Sequence, residues 1–168
     1  MKKLDTRMII TLGLLVAIEI VLSRFFSIQA WNFKITLSFV PIVVAGMLYG
    51  AIPAGIAGLL SDFLGALLFP SGMFFPGFTL TAFLTGVIWG LFLYKKQTTA
   101  RILAAVVVNQ VLCSLLLRSL WLSILYSSPY AALVAGRVVQ CCINGPIQFF
   151  VIGLIGVSLK RIKKGAAA

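Results

Sequence analysis

The 168-residue chain is 61% hydrophobic and only 10% charged, with a mean hydropathy of +1.13, whereas an ordinary soluble domain carries about 25% charged residues. Such a composition excludes a globule with a water-facing surface, so a bilayer is the expected solvent. The formal charge of +11 does not point to nucleic acid, because Lys2, Lys3, Lys95, Lys96, Lys160, Arg161, Lys163 and Lys164 bracket apolar runs and are not interleaved with exposed aromatics.

In chain order, the apolar runs predict an all-α, integral-membrane six-helix bundle forming a single domain over 1–164, with 165–168 as a tail outside it. The first span runs over about 8–28. It follows a basic start but lacks a small-residue cleavage site, so it reads as a membrane helix and not as a removed signal. The second and third, about 35–49 and 51–69, are separated only by Gly50 and its neighbours, which requires a tight turn. A loop with two prolines and two glycines, Pro70 to Gly77, leads to the fourth span at about 78–94. The fifth covers about 101–126, and the sixth about 129–159, where Lys160 to Lys164 stop it.

Lysine and arginine bias sets orientation. Lys2, Lys3, Arg7, Lys95, Lys96, Arg101, Lys160, Arg161, Lys163 and Lys164 fall at one set of helix ends. Arg24, Lys34, Arg118 and Arg137 fall at or toward the other. Both termini are therefore expected in the cytoplasm. The connections are all short, with no Walker-type motif and no room for a soluble catalytic domain. There is no histidine, and Cys113, Cys141 and Cys142 sit within apolar stretches, so neither a disulfide framework nor a metal site is expected, and no cofactor.

Polar groups at membrane depth carry the functional signal, since an ionised side chain at the bilayer centre costs at least about 2.5–3.5 kcal/mol on insertion scales. Two of the three acids, Glu19 and Asp62, lie inside spans. Asp62 has Gly58 one turn before it and Gly65 one turn after, which permits close approach by a ligand or by another helix. It either binds ligand or pairs with Arg24, Arg118 or Arg137, and Glu19 reads first as a structural pair or a partner contact. Arg137, Gln140, Asn144 and Gln148 follow one another at spacings of three, four and four along the last helix. That stripe must face the bundle interior or a polar cavity, with Pro146 bending the helix around it. Phe74, Phe75 and Phe78, with Trp31 and Phe33, form either an interfacial belt or stacking walls for a flat ring. Thr79 binds ligand or returns a hydrogen bond to its own backbone. Ala82, Gly86 and Gly90 make a small-residue ridge, and Gly13 with Ala17 a shorter pair, suited to contact with another helix.

Several runs together resemble a known family: LSRFFSI at 22–28, KITLSFVP at 34–41, AGMLYG at 45–50, SDFLG at 61–65 and, above all, LFPSGMFFPGFTL at 68–80. They are similar to the substrate-binding S components of energy-coupling factor (ECF) vitamin transporters, and within these to the folate-specific FolT group. The resemblance spans roughly Leu22 to Gly90. It implies a six-helix, multi-pass protein of the bacterial cell membrane with cytoplasmic termini. It also implies capture of folate on the extracellular side and delivery through an EcfT-like transmembrane subunit and two ABC-type ATPases. The chain itself would then be no enzyme. The implied ligand contacts are Asp62 or Asn144 at the aminopyrimidinone edge of the pterin and Trp31, Phe74 or Phe75 over its face. Arg24, Lys34, Arg118 or Arg137 would meet the glutamate tail, with Thr79 and Gln140 also lining the site. Family members dock through an AxxxA-like motif on the first helix, for which the nearest match here is Gly13 to Ala17, interrupted by Val21.

Two alternatives follow from the same residues. One is an S component for another vitamin or a pterin- or purine-like molecule. The other is an ion-coupled secondary transporter with Glu19 and Asp62 as coupling carboxylates, although no inverted repeat is visible.

Overall fold

The computed structural model describes residues 6–25, 27–29, 34–69, 75–94, 97–126 and 130–165, with backbone alone over 27–29, 34–36, 126, 130–133, 136 and 158–165. Hydropathy that leaves nothing for water to solvate is met by helices, which satisfy their own backbone groups in lipid. They are α1 (Thr6–Arg24), α2 (Phe39–Tyr49), α3 (Ala51–Leu68), α4 (Pro76–Leu93), α5 (Thr99–Val108), a π-helical segment (Asn109–Leu117), α6 (Arg118–Tyr126) and α7 (Tyr130–Gly165). Since α5, the π segment and α6 form one rod, five long apolar spans and the shorter α2 give about six crossings, as expected.

Two helix limits differ from the hydropathy pattern. The first helix stops at Arg24 instead of running to residue 28, and α2 begins at Phe39 instead of residue 35. Between them, β1 (Ser27–Gln29) pairs antiparallel with β2 (Lys34–Thr36), Ile28 opposite Ile35. Ser-Ile-Gln and Lys-Ile-Thr combine β-branched residues with alternating polarity, and hydropathy alone does not separate such a ribbon from a helix end. At the other extreme α7 continues past 159 to Gly165, its Lys- and Arg-rich last turns matching the negative end of the helix dipole.

Gly50 breaks α2 into α3 within a single residue at φ 98°, the left-handed region open to glycine, and its N–H bonds back to the Gly46 carbonyl. The ridge of Ala82, Gly86 and Gly90 on α4 lies on α3. A methyl at Gly86 would run into the Ala54 carbonyl, and the carbonyl of Ala82 closes on Gly58. Backbones this close gain dispersion and weak hydrogen bonding that bulkier side chains would preclude. The apolar core is centred on Val43, Met47, Trp89, Leu93, Ala105 and Ile152, joining α2, α4, α5 and α7. By contrast, the outward faces of α1 and α7 are the most open, with Ile10 67% and Phe150 72% exposed, as expected where lipid completes the packing.

Candidate ligand-binding site

The site gathers at the end of the bundle that carries the β1–β2 hairpin, where α1 and α3 end and α4 begins. The Asp62 carboxylate, half-buried on α3, accepts a hydrogen bond from the Thr79 hydroxyl on α4 at 2.9 Å. Its described partner is thus a hydroxyl, not Arg24, Arg118 or Arg137, and Thr79 bonds across to α3 instead of back to its own helix. One turn along α3, the Arg24 guanidinium lies over Gly65, so close that a methyl on Gly65 would sit 3.3 Å from its Nε and Nη2 atoms. Close helix approach at Gly58 and Gly65 therefore serves different partners: α4 at the first and the Arg24 side chain at the second. Phe25, the next residue, meets Phe69 edge-on, with centroids 5.5 Å apart.

A second group faces this one from α4 and α6. Phe75, which precedes Pro76 at the start of α4, stacks obliquely on Trp121, with centroids 5.5 Å apart and planes at 49°, and meets Phe78 edge-on at 6.2 Å. The Trp121 indole N–H donates to Thr81 Oγ1 at 3.0 Å, and the Thr81 hydroxyl donates to the Gly77 carbonyl at 2.9 Å. Gly77 lies beneath both rings: a methyl there would come within 2.6 Å of Phe75 and of Trp121. The aromatic wall is therefore tied to the first turn of α4 by a two-step hydrogen-bond chain, and the site is rigid where a flat ring would lie.

The polar stripe of α7 points inward, where the bundle hides it from lipid. Arg137 and Gln140 are buried, and Asn144 and Gln148 half-buried. Gln148 accepts a hydrogen bond from Gln110 on the π segment at 3.3 Å, and the Cys141 thiol lies 3.8 Å from the Gln110 carbonyl. Cys141 therefore does more than fill space. Arg118 on α6 is near enough to Arg137 for the two charges to repel each other. A pair of like charges, one of them buried, suits an anionic group.

The structure thus brings Asp62 together with Thr79, and Phe75 with an aromatic partner, whereas Arg137, Gln140 and Asn144 occupy the neighbouring face of α7. Trp31 and Phe74 lie outside the described residues, and Lys34 is described only as backbone of β2. Trp121 and Gln110 escaped the sequence reading. Trp121 follows Arg118 by three residues, one helical turn, and that pairing was the available signal. Glu19 is buried far from this group, between α1, α2 and α3, beside Pro41, Ile42 and Ala57 in a crevice too narrow for water. Gly13 and Ala17 are exposed on α1, with nothing within 4 Å of a side chain added at Gly13.

Comparison with known proteins agrees with this geometry. Residues 7–156 match the family model of the ECF transporter substrate-specific component. The folate transporter FolT of Clostridium novyi (strain NT) is 41% identical over 153 residues, 90% of this chain and 88% of its own. The FolT of Leuconostoc mesenteroides is 30% identical over 153 residues, 87% and 82% of the two chains. A crystal structure of FolT bound with folic acid superposes with a TM-score of 0.87 at 39% identity, covering 92% of this chain and 95% of that one. The chain belongs to the substrate-specific components of ECF transporters.

Proposed function

We propose that this S component binds folate with high affinity on the extracellular side of a bacterial cell membrane, both termini being cytoplasmic, and passes it on through a T subunit and two ATPases that hydrolyse ATP. The observation that carries this reading is the Asp62–Thr79 pair at 2.9 Å, set beside the Phe75–Trp121 wall. The aminopyrimidinone edge of a pterin presents adjacent N–H donors, and a carboxylate already oriented by a hydroxyl accepts them in a charge-assisted pair. An aromatic wall supplies the flat face such a ring needs. FolT relatives along nearly the whole chain point to the same ligand.

Arg137 with Arg118, and Arg24 above Gly65, supply cations for the glutamate tail, with Lys34 a further candidate. Asn144 and Gln140 line the α7 side, while Trp31 and Phe74 complete the aromatic cover. Gly13 and Ala17 present an open, small-residue face on α1 for docking. The bundle acts as one domain. The test is thermal stabilisation of the purified protein by a panel of folate, 5-formyl-folate, thiamine, riboflavin, biotin and pantothenate. Folate and its formyl derivative should stabilise it, and a response to any other vitamin without them would reassign the ligand.

A further inference from the structure

The π segment sits in the middle of an otherwise regular rod, and what it does is legible in which residues face lipid. Along α5, Ile102, Ala105 and Val106 are buried, followed by Asn109. At about 100° per residue, an unbroken α-helix continuing that face would turn Leu116, Leu120 and Ile124 inward. All three are apolar and would make an ordinary core stripe. In the structure they are 45%, 42% and 58% exposed, while Arg118 and Trp121 turn to the protein side. The wide turns of the π segment hold one residue more than an α-helix of the same length, and that residue rotates everything after it by about 100°.

We propose that this one-residue expansion is the device that aims α6 at the binding site, exchanging an apolar stripe for Arg118 and Trp121, and that Trp121 is a positioning residue which fixes the aromatic wall. The proposal rests on the folate-binding reading for its functional consequence but not for its geometry. Trp121 reaches the site twice, through its ring against Phe75 and Gly77 and through its N–H to Thr81, and both contacts depend on the rotation. The widened turns also leave the Gln110 carbonyl accessible to Cys141 and hold its side chain against Gln148, so α7 seats on the expanded segment. Exposing Leu116, Leu120 and Ile124 costs little here, since lipid receives them as readily as a core does.

Two length variants at the lipid-facing Val111 separate the outcomes. Deleting Val111 removes the surplus residue, so the rod becomes regular α-helix with Trp121 still inward. Folate affinity should stay within about threefold of wild type, well under the tenfold that one broken contact of this kind costs. Inserting one alanine after Val111 rotates α6 by a further 100° or so and should weaken folate binding about tenfold or more. Quenching of tryptophan emission by brominated lipid reads the same rotation without folate, taking the Trp121 contribution as the difference from the matching Trp121→Phe protein. It should rise for the insertion and not for the deletion. Trp121→Leu, which leaves chain length intact, should weaken folate about tenfold, with Leu120→Ala unchanged. A folded deletion variant that loses folate, or an insertion that changes neither affinity nor quenching, would overturn the proposal. A wild-type protein indifferent to folate but showing the quenching pattern would overturn the ligand assignment and leave the register intact.

Discussion

Replacing Asp62 by asparagine should move stability and affinity in opposite directions. The substitution keeps shape and leaves an oxygen to accept the Thr79 hydroxyl now 2.9 Å away. It removes a formal charge held within a membrane-spanning helix, where insertion of an ionised side chain costs about 2.5–3.5 kcal/mol at full depth. Asp62 is half-buried and about six residues, or roughly 9 Å, from the end of α3, so only part of that cost applies. Relief of about 1 kcal/mol would raise the melting temperature of the ligand-free protein by about 2–4 °C. Folate, meanwhile, loses a charge-assisted acceptor and meets an amide that offers donors to its own donors. The difference between charged and neutral hydrogen bonds is about 1–1.5 kcal/mol, before any mismatch, which is about five- to tenfold in Kd. Thr79→Val lowers both quantities, since it strips the carboxylate of its described donor without removing the charge. Calorimetric titration with folate and thermal unfolding without it measure the two effects separately. An Asp62→Asn protein that bound folate as tightly as wild type would refute the assignment of this carboxylate to the pterin edge.

Two further substitutions test packing and docking. Gly86→Val drives a side chain into the Ala54 carbonyl at the tightest α3–α4 approach, and overpacking of about 1–3 kcal/mol should lower the unfolding temperature by several degrees. Gly13→Leu meets nothing within 4 Å, so thermal stability and folate affinity should be unchanged. Recovery of the T subunit with the tagged chain should fall about tenfold or more if α1 is the docking face.

How much of this was legible in the amino-acid sequence depended on the physical signal involved. The helices were readable because a bilayer tolerates few alternatives to long apolar runs, and the break at Gly50 because nothing else separates two such runs. Asp62 stood out because an acid in an apolar span is expensive, and its neighbour Thr79 because it followed a distinctive loop. Hydropathy could not end α1 at Arg24, as Phe25 to Ile28 is as apolar as the helix before it and only pairing with 34–36 makes it a strand. The π segment was invisible for a related reason. Leu115, Leu116 and Leu117 suit either register, so which of them faces protein is decided by what α6 must reach, not by local preference. Trp121 remained hidden with it, because helical spacing counted from α5 puts it on the wrong face.

The two arginines frame the last test. Arg118 and Arg137 repel each other, and Arg137 is buried with its Nε lacking a hydrogen-bond partner among the described residues. Such an arrangement is costly in the empty protein and favourable once an anion lies between the charges. Folate and pteroate share the pterin and the benzoyl group and differ only by the glutamate, so their affinity ratio isolates the tail. If this pair holds a tail carboxylate, wild type should prefer folate by about tenfold, the yield of one charge-assisted contact of roughly 1.5 kcal/mol. Arg137→Gln should bring the ratio near unity while leaving pteroate affinity within about twofold, below what loss of one charged contact would cost. Arg118→Gln should halve the effect and raise the melting temperature of the ligand-free protein, since it ends the repulsion without emptying the buried position. If the folate-to-pteroate ratio survived in Arg137→Gln but collapsed in Arg24→Gln, the tail would instead lie over Gly65, on the α1 side of the site.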